Sequence, residues 1–212
     1  VSGCENIAGP DVKLSYPKGL AADYAKQTYY VADTGNERLL SFKWNDAKST
    51  WKVTVVLAAD SENAPATYIT FLPAREAIFF YSTQDNRVYK VGTTANAQPE
   101  FVAGNTRIGQ HDGMGAEALF TNNVKMLQTM QNGNVLVLDS NLIRVIDPAT
   151  NIVATLGLQG AYSIATVANN AQEKGMILYS STNTPPTMTQ LQQLNTVWAV
   201  SYTHLRAHET RH

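Results

Sequence analysis

Short apolar runs recur along the chain, each closed by a cluster of Gly, Asn, Asp, Ser or Thr. The first set reads Gly19-Leu20-Ala21-Ala22-Asp23, a turn, Tyr29-Tyr30-Val31-Ala32-Asp33, the polar cluster Thr34-Gly35-Asn36-Glu37, and Arg38-Leu39-Leu40-Ser41-Phe42. Runs this short, rich in aromatic and β-branched residues and bounded by turn formers, predict strands joined by tight connections. A second set follows: Tyr68-Ile69-Thr70-Phe71, a turn at Pro73, Ala77-Ile78-Phe79-Phe80-Tyr81, the polar run Ser82 to Asn86, and Arg87-Val88-Tyr89-Lys90-Val91. The third is Val124-Lys125-Met126-Leu127, a Gln131-Asn132-Gly133 turn, Asn134 to Asp139, and Ile143-Arg144-Val145-Ile146-Asp147. A fainter fourth has Ser163 to Val167, a turn ending at Gly175, and Met176 to Ser180, with Leu191 to Leu194 and Val197 to Val200 as outer strands. No segment reads as a helix.

The sets share order and spacing. Arg38, Arg87 and Arg144 open the third strand of three of them, 49 and then 57 residues apart, and the fourth lacks the arginine. Each of the first three closes on an apolar strand, Val53 to Ala58, Glu100 to Ala103 and Ile152 to Leu158. Four short strands per unit, repeated at this period, predict blades of a β-propeller rather than a helical solenoid. Thr34-Gly35-Asn36, Asn132-Gly133 and Pro148-Ala149-Thr150-Asn151 are expected to supply the positive-φ and turn-forming residues that hairpins need.

With 212 residues, 44% hydrophobic and 16% charged, the chain has enough apolar material for one large core of strands covered on both faces. Sixteen Lys and Arg against 17 Asp and Glu give a net charge of −1, which creates no strong field toward nucleic acid or anionic lipid. Cys4 is the single cysteine, so neither an internal disulfide nor a cysteine-based zinc site can form. No apolar run approaches the length that spans a bilayer, and the first residues do not read as a targeting segment.

Tyr30-Val31-Ala32-Asp33-Thr34-Gly35-Asn36-Glu37-Arg38-Leu39 resembles the core of the NHL repeat: a hydrophobic pair, Ala-Asp, a small loop with Asn, then Arg and a hydrophobic residue. Val102-Ala103-Gly104 through Asp112-Gly113, Gly115, Ala118 and Phe120 resembles that family's inter-blade linker, and Ile7-Ala8-Gly9 before Tyr16-Pro17-Lys18-Gly19 a shorter one. The resemblance implies an all-β, NHL-type propeller of about four visible blades of four antiparallel strands. The units fall at about 10–60, 61–105, 106–160 and 161–200, within residues 1–200. Family propellers usually carry six blades, so the chain is expected to be an incomplete propeller. Ser82 and Ser180 stand where the first and third units carry Asp33 and Asp139.

Asp33, Asn36 and Arg38, Asn86 and Arg87, and Asp139 and Arg144 repeat with the units and are therefore expected to be structural. The Asp should accept backbone N–H groups of its turn and pair with the Arg, whose stem packs on the neighbouring blade. A catalytic pair need occur only once. The loops between the second and third strands are the expected binding surface, with Thr34, Glu37, Gln84, Asp85 and Asn141 as candidates, joined by His111 and Asp112 of the Gly-rich linker. That linker fits neither the P-loop nor the dinucleotide fingerprint, and its glycines are expected to serve positive-φ turns. His208-Glu209-Thr210-Arg211-His212 has the form of a zinc-protease motif but ends the chain without a third ligand or scaffold. Ser201 to Thr210 moreover resembles translated sequencing-adapter read-through, so residues 201–212 are set aside as a non-native tail carrying no metal site.

No cofactor and no catalytic residue is expected. The leading expectation is a non-catalytic scaffold that binds another protein, or a small ligand, through blade loops. The resemblance also allows a propeller lyase or lactonase with a channel metal supplied partly by further blades, for which His111 is the sole histidine outside the tail. RNA binding, a property of some NHL propellers, is disfavoured. Without the tail's Arg206, Arg211 and Glu209 the balance becomes 14 bases to 16 acids, and no Lys/Arg cluster with interleaved aromatics is visible.

Overall fold

The computed structural model describes residues 12–58, 65–130, 132–167, 176–181 and 198–202. These residues build an all-β chain with no α-helix among them. The first sheet is β1 (Gly19–Asp23), β2 (Thr28–Asp33), β3 (Arg38–Asn45) and β4 (Thr50–Leu57), paired in that order and antiparallel throughout. The second repeats it with β5 (Tyr68–Leu72), β6 (Ala77–Ser82), β7 (Arg87–Gly92) and β8 (Glu100–Gly104). In the third, β10 (Val124–Thr129), β11 (Val135–Asp139), β12 (Leu142–Asp147) and β13 (Ile152–Gln159) gain a two-residue fifth strand, β9 (Gly113–Met114), from the preceding linker.

The fourth sheet departs from expectation. It contains β14 (Ala161–Val167), β15 (Met176–Ser181) and β16 (Trp198–Tyr202), and β16 runs parallel to β15. Parallel pairing cannot follow a tight hairpin, so the meander of four antiparallel strands stops within this unit. The strand β16 also carries Ser201 and Tyr202, which the sequence reading had assigned to the tail. The expected strand at Leu191 to Leu194, and His208, Glu209 and His212, lie outside the described residues.

Packing explains why the strands carry apolar residues on both faces of the sheets. Tyr30, Ala32, Leu39 and Val56 of the first sheet meet Ile69, Ile78, Phe80 and Val91 of the second. The other side of the second sheet presents Phe79, Tyr81, Val88 and Val102 to Leu127, Val135, Val137 and Ile146 of the third. Leu136, Leu138 and Ile143 then cover Ala161 and Ile164 of the fourth. Stacked units of this kind bury both faces only through their neighbours.

The turns use a device the sequence did not suggest. At Thr34–Asn36, Asp46–Lys48 and Pro73–Arg75 a single 3₁₀ turn is closed by a left-handed residue that is not glycine, namely Glu37 (φ 53°), Ser49 (φ 46°) and Glu76 (φ 47°). Gly35 is not among the positive-φ residues; a Cβ there would lie 2.5 Å from Ser15 Oγ, so glycine serves close approach of the incoming chain. Gly133 (φ 90°) and Asn151 (φ 59°) do adopt the expected left-handed conformation.

Candidate functional site

Two regions gather polar groups or open space, and strand register places them at opposite ends of the blades. Gly19 pairs with Ala32 and Asp23 with Thr28, so the repeat-motif residues after β2 sit at one end and the β1–β2 turn at the other. The second sheet follows the same scheme, with Tyr68 opposite Tyr81 and Leu72 opposite Ala77.

At the first end the repeat residues form clamps. Buried Asp33 accepts Ser15 N–H at 2.6 Å, Asn36 Nδ2–H at 2.8 Å and Arg38 Nε–H at 2.7 Å, while Asn36 and Arg38 also donate to Lys13 O at 3.2 and 3.0 Å. Asp139, equally buried, accepts Thr121 N–H at 3.1 Å together with the Thr121 hydroxyl, and pairs with Arg144 Nη1 at 3.1 Å. The Arg144 guanidinium lies 5.4 Å over the Phe120 ring and donates to Leu119 O, His111 O and Asp112 Oδ1 at 3.1, 2.8 and 2.8 Å. The long-range donors to each Asp thus come from the incoming linker, where the sequence had suggested the adjacent turn. Each pair staples a linker onto its blade.

The second unit, lacking the Asp, solves the same problem with hydroxyls. Thr67 and Thr83 hydroxyls meet at 3.1 Å, and buried Tyr81 places its hydroxyl 2.9 Å from Asn86 Oδ1 and 3.1 Å from Thr121 O. Burial and the nearby Asp139 charge push the Tyr81 phenol well above its ordinary pKa, so it stays a donor. Arg87 instead pairs with Asp85 at 3.6 Å and lies 5.7 Å over Phe101, and Asp85 also accepts the Tyr89 hydroxyl.

Several of the expected binding-loop residues make hydrogen bonds within the fold. Thr34 Oγ1 donates to Ala66 O at 3.0 Å, Asp85 is held as above, and Asn141 O accepts Ala161 N–H at 3.1 Å. Asp112 accepts Thr155 N–H at 2.9 Å and its hydroxyl at 2.8 Å besides Arg144. Burial pushes its carboxyl up, but those Thr155 bonds and the Arg144 charge outweigh it and hold the pKa below the ordinary value. The linker chain at His111 is pinned by mutual backbone bonds with Leu119. Glu37, Gln84, His111, Asp112 and Asn141 are nevertheless exposed.

At the second end the first strands β1, β5 and β10 lie side by side and enclose a cleft of about 560 Å³. Leu20 and Ala22 form one wall, Ile69 and Phe71 the middle, Gln128 and Thr129 the far side, with Tyr24, Ala74 and Met130 contributed by the turns. Thr129 ties the wall together, its N–H donating to Thr70 Oγ1 at 3.1 Å and its hydroxyl to Phe71 O at 2.9 Å. Beyond the lining, Lys26 of the first turn bridges to Glu76 of the second at 2.6 Å. The lining contains no Asp, Glu, His or Cys, and among the described residues no three such side chains come together as a metal-ligand set. The sequence analysis missed the cleft, because the opening depends on how far apart three strand ends stand.

No protein family and no curated protein matches the chain. Solved structures do. A chain of the nidogen/laminin complex is similar with a TM-score of 0.53 at 15% identity, over 79% of this chain and 56% of that one. An auxiliary nutrient binding protein from Bacteroides ovatus gives 0.52 at 17%, over 68% and 36%. A gluconolactonase from Xanthomonas campestris gives 0.52 at 13%, over 72% and 51%. These neighbours are β-propellers and include both binding proteins and an enzyme, and the chain spans between 36% and 56% of their lengths. Among the described residues, no helix is long and apolar enough to cross a membrane.

Proposed function

We propose that the chain is a binding scaffold of NHL-like repeats, and that the cleft between β1, β5 and β10 receives a small, uncharged, mainly apolar ligand. The character of the lining carries this reading. A volume of about 560 Å³ falls within the range of about 300–1,000 Å³ typical of small-molecule sites. Its walls offer aliphatic and aromatic surface with a few neutral polar groups from Thr70, Thr129 and Gln128. Fixed neutral dipoles orient an uncharged guest, whereas a charged one would lose its hydration without a counter-charge. General acid–base or metal-assisted turnover draws on His, carboxylate or Cys side chains facing the guest, and the one titratable side chain in this lining is Tyr24, 86% exposed. The neighbours' own roles, nutrient binding, a nidogen/laminin assembly and a gluconolactonase, show that the propeller alone does not choose between binding and catalysis. The repeat clamps speak for the same division of labour, since they spend their polar groups on the linkers.

The test compares wild type with Ala74→Trp, which places an indole in the cleft from an exposed turn position, and with Glu37→Ala and Gln84→Ala at the other end. A thermal-shift screen of uncharged apolar fragments should give stabilising hits on wild type and on both loop variants that vanish in Ala74→Trp. Hits that persist in Ala74→Trp but disappear with Glu37→Ala or Gln84→Ala would return recognition to the blade loops.

A further inference from the structure

The middle of the cleft is a strand edge rather than a side-chain surface. Along β5, Ile69 and Phe71 pack toward the first sheet, while Tyr68 and Leu72 pack toward the third. The Thr70 hydroxyl accepts Thr129 N–H of β10. What β5 turns to the opening is therefore its backbone. The strand pairs only with β6, and β1 and β10 are likewise terminal strands of their sheets, so three edges converge on one space.

Register says which backbone groups face out. At the start of β5 Thr67 N–H donates to Tyr81 O at 2.9 Å, and at the start of β1 Lys18 N–H donates to Ala32 O at 3.1 Å. Tyr68 stands opposite Tyr81 and Gly19 opposite Ala32, so Leu20 matches Ile69 and Ala22 matches Phe71. Phe71 O leaves its own sheet, because it accepts the Thr129 hydroxyl. A strand sends the N–H and C=O of alternate residues to the same edge. Ile69 and Phe71, and by the matched register Leu20 and Ala22, thus direct their amides outward. Thr129 bridges the gap between β5 and β10, but among the described residues no backbone hydrogen bond joins β1 to β5. Those two strands close up at Gly19, where a Cβ would lie 2.9 Å from Thr67 O, and the cleft opens toward Tyr24 and Ala74.

We propose that the guest of this cleft is an extended, uncharged peptide segment whose amides pair with the outward groups of β1 and β5, an inference that rests on the cleft being the binding site. A segment added to a strand edge draws affinity from main-chain hydrogen bonds and specificity from its alternate side chains, here set against apolar walls. An apolar guest without amides would cover the same backbone groups and leave them unsatisfied, a cost the peptide avoids. The lining carries no charged side chain, so the segment's own side chains are uncharged too. Strand β5 has five residues at about 3.3 Å each, which matches a segment of about four or five residues.

The experiment titrates the full chain with capped tetrapeptides built from Ala, Val, Leu and Thr, with the same peptides N-methylated at either alternate set of backbone amides, and with toluene as a guest lacking amides. Wild type and Ala74→Trp are compared by amide chemical shifts and hydrogen exchange. At least one capped peptide should shift the cleft amides of wild type and slow exchange at Leu20, Ala22, Ile69 or Phe71. Both effects should vanish in Ala74→Trp, and one of the two N-methylated sets should bind at least about tenfold more weakly. Should Ala74→Trp fail to fold, the N-methyl comparison on wild type decides alone. Peptides that bind equally well with either set methylated, or toluene entering the cleft while no peptide does, overturn the peptide and leave the cleft standing. No shift in the cleft with any of these guests overturns both.

Discussion

Replacing Asp139 with Ala removes the central acceptor of the third unit's clamp. Asp139 is fully buried, and so is Arg144, so the substitution leaves a guanidinium inside the protein with Asp112, itself half-exposed, as its remaining ionic partner. Thr121 loses the acceptor of both its N–H and its hydroxyl. Breaking a buried ion pair from one side costs about 3–5 kcal/mol, since the remaining charge is stranded in a low dielectric. Arg144 keeps Leu119 O, His111 O and Asp112, which places the expected loss toward the lower part of that range. The equivalent Asp33→Ala leaves Arg38, whose side chain is 20% exposed and can turn to water, so about 1–3 kcal/mol is expected there. Urea midpoints with a common m-value measure both. Adding Arg144→Met to Asp139→Ala should recover part of the loss, because no unpaired charge then remains. Equal losses for the two Asp variants, or an Asp139→Ala protein as stable as wild type, would refute the clamp.

Asp112 has a folded pKa below its ordinary value, so it adds stability above the unfolded value and loses it as pH falls through the folded one. Acid titration of the urea midpoint should therefore decline through and below the ordinary carboxylate range, and Asp112→Asn should flatten part of that decline. Gly35→Ala forces a Cβ to within 2.5 Å of Ser15 Oγ and 2.7 Å of Ser15 O, and about 1–3 kcal/mol of destabilisation is expected by denaturant titration; no loss would mean the linker can withdraw. Tyr81→Phe deletes the buried hydroxyl shared by Asn86 and Thr121 O, for an expected loss of about 0.5–1.5 kcal/mol in the same assay. A larger loss would mean the vacated acceptors find no water.

The blades were legible because their signal is local and repeated. Tyr29 to Asp33, Ala77 to Ser82 and Val135 to Asp139 each pair an apolar run with the same turn position, and strand propensity needs no distant information to read them. The recurrence of the Asp and Arg residues was legible in the sequence, but their partners were not. Lys13, Ser15, Leu119 and Thr121 lie 18 to 25 residues away in sequence, and only the fold brings those backbones to the clamp. The third sheet's extra strand at Gly113–Met114 and the parallel pairing of Trp198–Tyr202 were missed for the same reason, since neither follows from hairpin chemistry. Glu37, Ser49 and Glu76 show how a short 3₁₀ turn can impose a left-handed conformation on residues that do not favour it.

Recognition through the inner-strand cleft, rather than the blade loops, is tested most directly by amide chemical-shift mapping of the full chain with a bound uncharged fragment. The account predicts shifts concentrated at Leu20 to Tyr24, Ile69 to Ala74 and Gln128 to Met130, with Thr34 to Glu37, Gln84 to Asn86 and Asn141 unmoved. Shifts centred on those loop residues, with the cleft strands silent, would contradict it.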